Sequence, residues 1–353
     1  MGKKTNIYLC VTEYHVLLSI LLSIERFFSD EFENKIILCN EGRFNDKNRY
    51  NFSSINNVQY VVYPKEYFRS SDFIKEIISK STGTLFVFNL NNPHFIYLFY
   101  KLKQTNQANI AFVQEGLASY NFNYYTLRER LGRIKIDISI LRESGIKDLC
   151  FYRYCFGYRG LGGKVFDYYD KAVGSSLVDS FWLTFPDDAK YGRDKAIRLP
   201  VFTNRSISAA NNFFKYQQSL SLKENDIVFI DQRIIGSFEF VSELSTSFPN
   251  TRIYIKLHPS TKQESIYEYK KNPNVCMLSS LQGIPVELFL QNLRHAIVVS
   301  PFSSALLINN PSCHYYYTYK WHLRLGYNIE NDNLFTPGRH IRIIDSIGEI
   351  ETF

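Results

Sequence analysis

A chain of 353 residues with 45% apolar side chains exceeds the size at which one hydrophobic core keeps growing, so two domains of roughly 150–200 residues are expected. Its net charge of +7 calls for an anionic partner, and charge by itself does not choose among nucleic acid, a membrane surface, a nucleotide-sugar and an acidic glycan. Six scattered cysteines (Cys10, Cys39, Cys150, Cys155, Cys276 and Cys313) form no C-x-x-C pair, which argues against a zinc site or disulfide framework, and no apolar run reaches the length of a membrane span.

Lys3 and Lys4 precede an apolar stretch with the outline of a leader, but Glu13 and His15 interrupt it. The segment reads instead as a buried strand, Ile7–Val11, and a helix carrying Leu17, Leu18, Leu21 and Leu22. Further strands are expected over Lys35–Cys39, Val58–Val62, Leu85–Leu90 and Ile110–Gln114. An irregular region from Tyr124 to Pro200, rich in Arg, Tyr, Phe and Gly, comes next. A second series then follows: Asp226–Asp231, Arg252–Leu257, Val275–Leu278, Ala296–Ser300 and His314–Thr318. Short apolar runs alternating with amphipathic ones predict two α/β, Rossmann-like domains facing a cleft, over residues 1–195 and 196–353.

Ligands of open α/β sheets sit beyond the carboxyl ends of the strands, so the informative residues are those just after each run. In Phe112-Val113-Gln114-Glu115-Gly116-Leu117 a strand ends on a carboxylate followed by glycine. Glu115 has the chemistry of a general base and Gly116 permits close approach of a ligand; a helix cap is the plain alternative. In Ile255-Lys256-Leu257-His258-Pro259-Ser260 the proline ends the strand and holds His258 extended, where its ring can meet a departing phosphate as a general acid. In Val299-Ser300-Pro301-Phe302-Ser303-Ser304 a strand turns into a helix start, with hydroxyls and N–H groups suited to a phosphate or, more plainly, an N-cap at Ser303. Asp231 and Glu13 are carboxylates at the ends of other strands. Phosphate-loop, H-E-x-x-H, G-x-S-x-G, G-x-G-x-x-G and D-x-D patterns are all missing from the sequence, which favours chemistry without a metal.

In this order, Gln114-Glu115-Gly116, Lys256-Leu257-His258-Pro259 and Ser303-Ser304 resemble the acidic-acidic-Gly, His-Pro and Ser/Ser-Thr motifs of the bacterial sialyltransferases. The opening from Leu9 to Leu17 is similar to the start of glycosyltransferase family 52, the lipooligosaccharide and capsule sialyltransferases, with the polysialyltransferases of family 38 as close competitors. The resemblance implies a GT-B architecture and inverting, metal-independent transfer of sialic acid from CMP-sialic acid to a hydroxyl of a bacterial surface glycan. It implies catalytic roles for His258, Glu115 and Asp231, donor contacts from Gly116, Lys256, Pro259, Ser303 and Ser304, and an acceptor-side position for Glu13. Gln114 departs from the motif's first acidic residue, so Glu115 alone carries the base in the first half, while the family 52 likeness implies a base from the second half, Asp231.

The alternatives are a polysialyltransferase, a GT-B enzyme using CMP-Kdo, another nonulosonate or a UDP-sugar, and, last, a non-enzymatic module that binds anionic surfaces. The expected partners are CMP-sialic acid and an oligosaccharide acceptor that can be lipid-linked. The basic, aromatic stretch between Arg128 and Lys164 adds a peripheral contact with the inner face of the cytoplasmic membrane. No cofactor, metal or nucleic acid is called for, the compartment is expected to be the cytoplasm, and a homodimer is compatible with the sequence.

Overall fold

The computed structural model describes residues 2–353 apart from 121–138, 140–141, 144, 152–176 and 328–338. Single residues or short runs at 40, 47, 56, 65–66, 68–69, 89–92, 106–107, 190–191, 218–221, 259–260, 262, 279–280 and 282 are likewise excluded. Most of the stretch between Arg128 and Lys164, and Pro259, therefore lie outside the described residues.

The chain divides into two compact units, Met1–Lys215 and Tyr216–Phe353. The first is built on a seven-stranded sheet: β1 (Lys4–Cys10), β2 (Phe32–Leu38), β3 (Val58–Val62), β4 (Thr84–Val87), β5 (Asn109–Val113), β6 (Ser180–Leu183) and β7 (Ala196–Arg198). Its spatial order is β3-β2-β1-β4-β5-β6-β7, with every pairing parallel. The central strands are uninterrupted apolar runs because both faces of such a sheet are covered; Ile7, Tyr8, Leu9 and Cys10 are all buried. Among the described residues the longer helices of this unit are α1 (Glu13–Glu25), α2 (Ser71–Lys80), α3 (Pro93–Thr105) and α4 (Asn204–Phe213). Residues Val16 to Ile24 of α1 are all buried, the mark of a helix enclosed on every side. Thr12 starts α1 by accepting the His15 N–H on its side chain, a cap worth about 1 kcal/mol.

The second unit has a six-stranded parallel sheet of β8 (Ile227–Ile230), β9 (Ile253–Lys256), β10 (Val275–Met277), β11 (Ala296–Ser300), β12 (Cys313–Tyr317) and β13 (Ile341–Ile343). The order is β10-β9-β8-β11-β12-β13. Its helices are α5 (Ser237–Ser247), α6 (Gln263–Lys270), α7 (Val286–Gln291) and α8 (Tyr319–Arg324). Phe229, Phe240, Ile255, Tyr269, Val299 and Trp321 pack in one buried cluster. Both sheets reverse direction of strand order beside their first strand, at β1/β4 and at β8/β11, which is where doubly wound sheets bind ligands.

The division falls after Lys215, beyond the expected 195/196, for two reasons. Ala196–Arg198 pairs with β6 as the last strand of the first sheet, and α4 packs against α1. The Asn51 N–H also donates to the Phe213 carbonyl at 2.7 Å, and the Tyr60 ring lies 4.6 Å from that of Phe213. Strands β6, β7 and β13 were not expected from the sequence. Among the described residues no helix is long and apolar enough to cross a membrane.

Candidate active site

Each unit gathers polar side chains at the carboxyl end of its sheet. In the first, α1 begins immediately after β1 and projects Glu13 and His15. Glu13 is largely buried and already engaged: the Arg43 guanidinium pairs with its Oε2 and the Tyr50 hydroxyl donates to its Oε1 at 3.1 Å. Arg43 sits on a helical turn, Glu41–Phe44, that follows β2. Glu13 is thus an anchor for the loop after β2 as well as an acceptor-side candidate.

Glu115 follows β5, with its side chain one-third exposed. Its N–H donates to Ser119 Oγ at 2.9 Å. Gly116 adopts φ of 142°, a conformation open to glycine and strained for any residue with a Cβ, so the turn that presents Glu115 requires glycine at this position. Gln114 is fully buried. Its Oε1 accepts from the Thr184 N–H at 2.8 Å and the Tyr120 hydroxyl at 2.9 Å, while Nε2 donates to the Tyr14 hydroxyl at 3.0 Å.

His15 was not singled out as a site residue, yet it stands beside Glu115, with Nε2 3.8 Å from Oε1. The ring is 1% exposed and stacks on Phe88, just after β4, with centroids 4.6 Å apart. Burial, reinforced by the Arg43 guanidinium, pushes its pKa down to about 3. The imidazole is neutral, so its contact with Glu115 is not an ion pair.

In the second unit Asp231 directly follows β8, buried at 2% exposure. Its Oδ1 accepts from the Arg233 N–H at 2.9 Å and the Tyr269 hydroxyl at 3.1 Å, and its Oδ2 accepts from the Thr261 hydroxyl at 3.0 Å. The carboxylate ties the turn after β8 to the loop after β9. That loop carries His258, whose carbonyl accepts the Thr261 N–H at 2.9 Å. Partial burial lowers the pKa of His258; Arg233 and Lys256 act in the same direction and Asp231 opposes them. Lys256 is buried and donates to the Leu281 carbonyl at 2.8 Å, which fixes the segment leading to α7.

The segment after β11 forms a four-residue 3₁₀ turn, Ser304–Leu307, rather than the start of a longer helix. Ser303 caps it by accepting the Ala305 N–H at 3.3 Å, and its carbonyl accepts from the Tyr317 hydroxyl at 2.6 Å. Ser304 is partly exposed beside it. A second residue outside the sequence expectations is Glu287, in the first turn of α7. Burial raises its carboxyl to about 7, against the lowering influence of Lys256.

The family model of the alpha-2,8-polysialyltransferases matches residues 6–315. No curated protein matches the chain in sequence. Among solved structures, the chain is similar to the alpha/beta-galactoside alpha-2,3-sialyltransferase of the luminous marine bacterium Photobacterium phosphoreum. The TM-score is 0.55 at 11% identity, over 97% of this chain and 99% of that one. It is also similar to a Photobacterium sp. 2,6-sialyltransferase, with a TM-score of 0.49 at 12% identity, over 97% of this chain and 78% of that one. At 11% identity the likeness to the first of these shows the GT-B fold. The matching family model is that of the polysialyltransferases, the competitor to family 52 in the sequence reading.

Proposed function

The chain belongs to the alpha-2,8-polysialyltransferase family, and on that premise we propose that it moves sialic acid repeatedly from CMP-sialic acid to a hydroxyl of a sialyl-terminated glycan. The observation that carries this reading is the family match across most of the chain. It favours polymerisation over the single transfer expected first from the opening residues.

The reaction is a single inverting displacement. Glu115 takes the proton of the acceptor hydroxyl, that oxygen attacks the anomeric carbon, and the bond from that carbon to the CMP phosphate oxygen breaks through an oxocarbenium-like state. His258 meets the departing phosphate. Its pKa is lowered by partial burial, and an arriving phosphate anion, opposing Lys256 and Arg233, raises the imidazole toward the protonated form that an acid needs. What supports Glu115 over Asp231 as base is that Asp231 already accepts three hydrogen bonds, which suits it to holding the His258 loop in place. The second unit is proposed to bind the donor, with Ser304 beside the phosphate, and the first to present the acceptor.

The test is transfer from CMP-sialic acid to fluorescent acceptors, one ending in sialic acid and one in galactose, with CMP-Kdo and UDP-sugars as competing donors and a chelator control. A ladder of products on the sialylated acceptor is expected. One addition to the galactose acceptor without a ladder would return the reading to single transfer. Peripheral membrane association through Arg128 to Lys164 belongs to the same proposal, and its readout is salt-sensitive co-sedimentation with anionic vesicles.

A further inference from the structure

We propose that His15 is a positioning residue for the base: a neutral imidazole held as its Nε2–H tautomer, it donates to Glu115 and aims that carboxylate at the acceptor hydroxyl.

The tautomer follows from one hydrogen bond. The Val11 N–H donates to His15 Nδ1 at 3.2 Å, so Nδ1 carries a lone pair and the ring proton resides on Nε2. That Val11 N–H lies at the end of β1, ahead of the Thr12 cap, so the geometry that begins α1 also selects the tautomer. The ring has little freedom to turn, being stacked on Phe88 with an interplanar angle of 9°. Nε2 is buried and makes no hydrogen bond, a costly condition for a donor unless it serves a partner. The group it faces is Glu115 Oε1 at 3.8 Å, a separation that a small rotation of the carboxylate closes. Hydrogen bonds of catalytic groups are commonly long before substrate arrives and tighten on binding.

Chemically this arrangement differs from a charged partner. A cation at this position would hold the carboxylate ionised and weaken it as a base, whereas a neutral donor fixes one oxygen and leaves the other basic. Burial and Arg43 keep the ring uncharged across the range in which the enzyme would work. Arg43 itself is paired with Glu13, so that carboxylate screens its charge from the imidazole.

The inference rests on Glu115 being the base, and the experiment separates the two claims. His15→Phe keeps the ring on Phe88 but deletes the donor; His15→Gln places an amide N–H near the Nε2 position and an oxygen that can accept. Initial rates are measured for the wild type, both variants, Glu115→Gln and the double variant His15→Phe/Glu115→Gln, each checked for folding by far-UV circular dichroism and thermal melting. The expectation is that His15→Phe lowers kcat by about 10- to 100-fold with the KM for CMP-sialic acid unchanged. His15→Gln should restore most of that loss, and His15→Phe should have no further effect once Glu115 is replaced. Wild-type kcat in Glu115→Gln would overturn the assignment of the base. If Glu115→Gln is inactive but His15→Phe turns over normally, the positioning role is overturned and the base stands. Equal losses in His15→Phe and His15→Gln, tracking a lowered melting temperature, would also overturn it by making His15 a packing residue.

Discussion

Glu287 gives a stability prediction whose sign and size both follow from burial. Its carboxyl is 8% exposed, in the first turn of α7, and titrates at about 7 in the folded chain instead of the ordinary 4.5. Below pH 4.5 both folded and unfolded chains hold the proton, so the group contributes no difference. Between 4.5 and 7 the unfolded chain ionises while the folded one does not, and the native state loses stability as pH rises. At about 1.4 kcal/mol per pH unit, the loss reaches about 3 kcal/mol by pH 8. Glu287→Gln removes the titration and nothing else of similar size. The chain has 2 tryptophans, and Trp321 lies in the core of the second unit, so in a Trp182→Phe background its fluorescence reports the unfolding of that unit alone. Urea titrations at pH 4.5, 6, 7 and 8 should show the Gln variant gaining on its parent by about 3 kcal/mol across the series. A pH-independent difference between the two would refute the reasoning, because it would mean that Glu287 ionises alike in both states.

His258→Ala should lower turnover by roughly 10²- to 10⁴-fold. Because an acid must be protonated and the pKa of His258 is lowered, kcat/KM should fall on a limb below the ordinary imidazole value. The limb of kcat should lie at higher pH, and a limb that survives in His258→Ala would belong to another group. Glu115→Gln should lose turnover on the same scale with little change in donor KM. Asp231→Asn, which weakens the anchor of the His258 loop, should chiefly lower the melting temperature of the second unit and raise donor KM; the reverse pattern would make Asp231 the base.

The parts of the fold that were legible are the strands buried on both faces. Ile7–Cys10 and Ala296–Ser300 are continuous buried runs because helices cover both sides of the sheet, and such runs announce themselves in any window, whereas the edge strand Val58–Val62 stood out by its three valines and a tyrosine although most of it is only half-buried. Ser180–Leu183, Ala196–Arg198 and Ile341–Ile343 lie at or near the sheet edges. Edge strands need only one apolar face, and Ala196-Ile197-Arg198 is half exposed to exposed throughout, so nothing in the pattern separates it from a loop. That strand is also what carried the unit boundary past the expected position. A division read from composition cannot see a three-residue strand whose identity comes from its partner.

The site divides along the same line between local and tertiary signals. Glu115-Gly116 and His258 stand out as candidates in the sequence because strand ends and glycine or proline restrict the backbone locally, and the observed φ of Gly116 is of that kind. His15 and Glu287 do not, since what marks them is burial and neighbours distant in sequence: Phe88 stacks on the His15 ring, and Lys256 acts on the Glu287 carboxyl. Gln114 shows how the two levels interact. In the sequence it departs from a motif with two acids before glycine. In the fold it needs to accept from the Thr184 N–H and the Tyr120 hydroxyl while donating to Tyr14. An ionised carboxylate accepts but cannot donate, so an acid at 114 would force the Tyr14 hydroxyl to turn round and would place a second negative charge beside Glu115. The amide makes all three hydrogen bonds and leaves the charge on Glu115 alone, next to a neutral histidine rather than a cation.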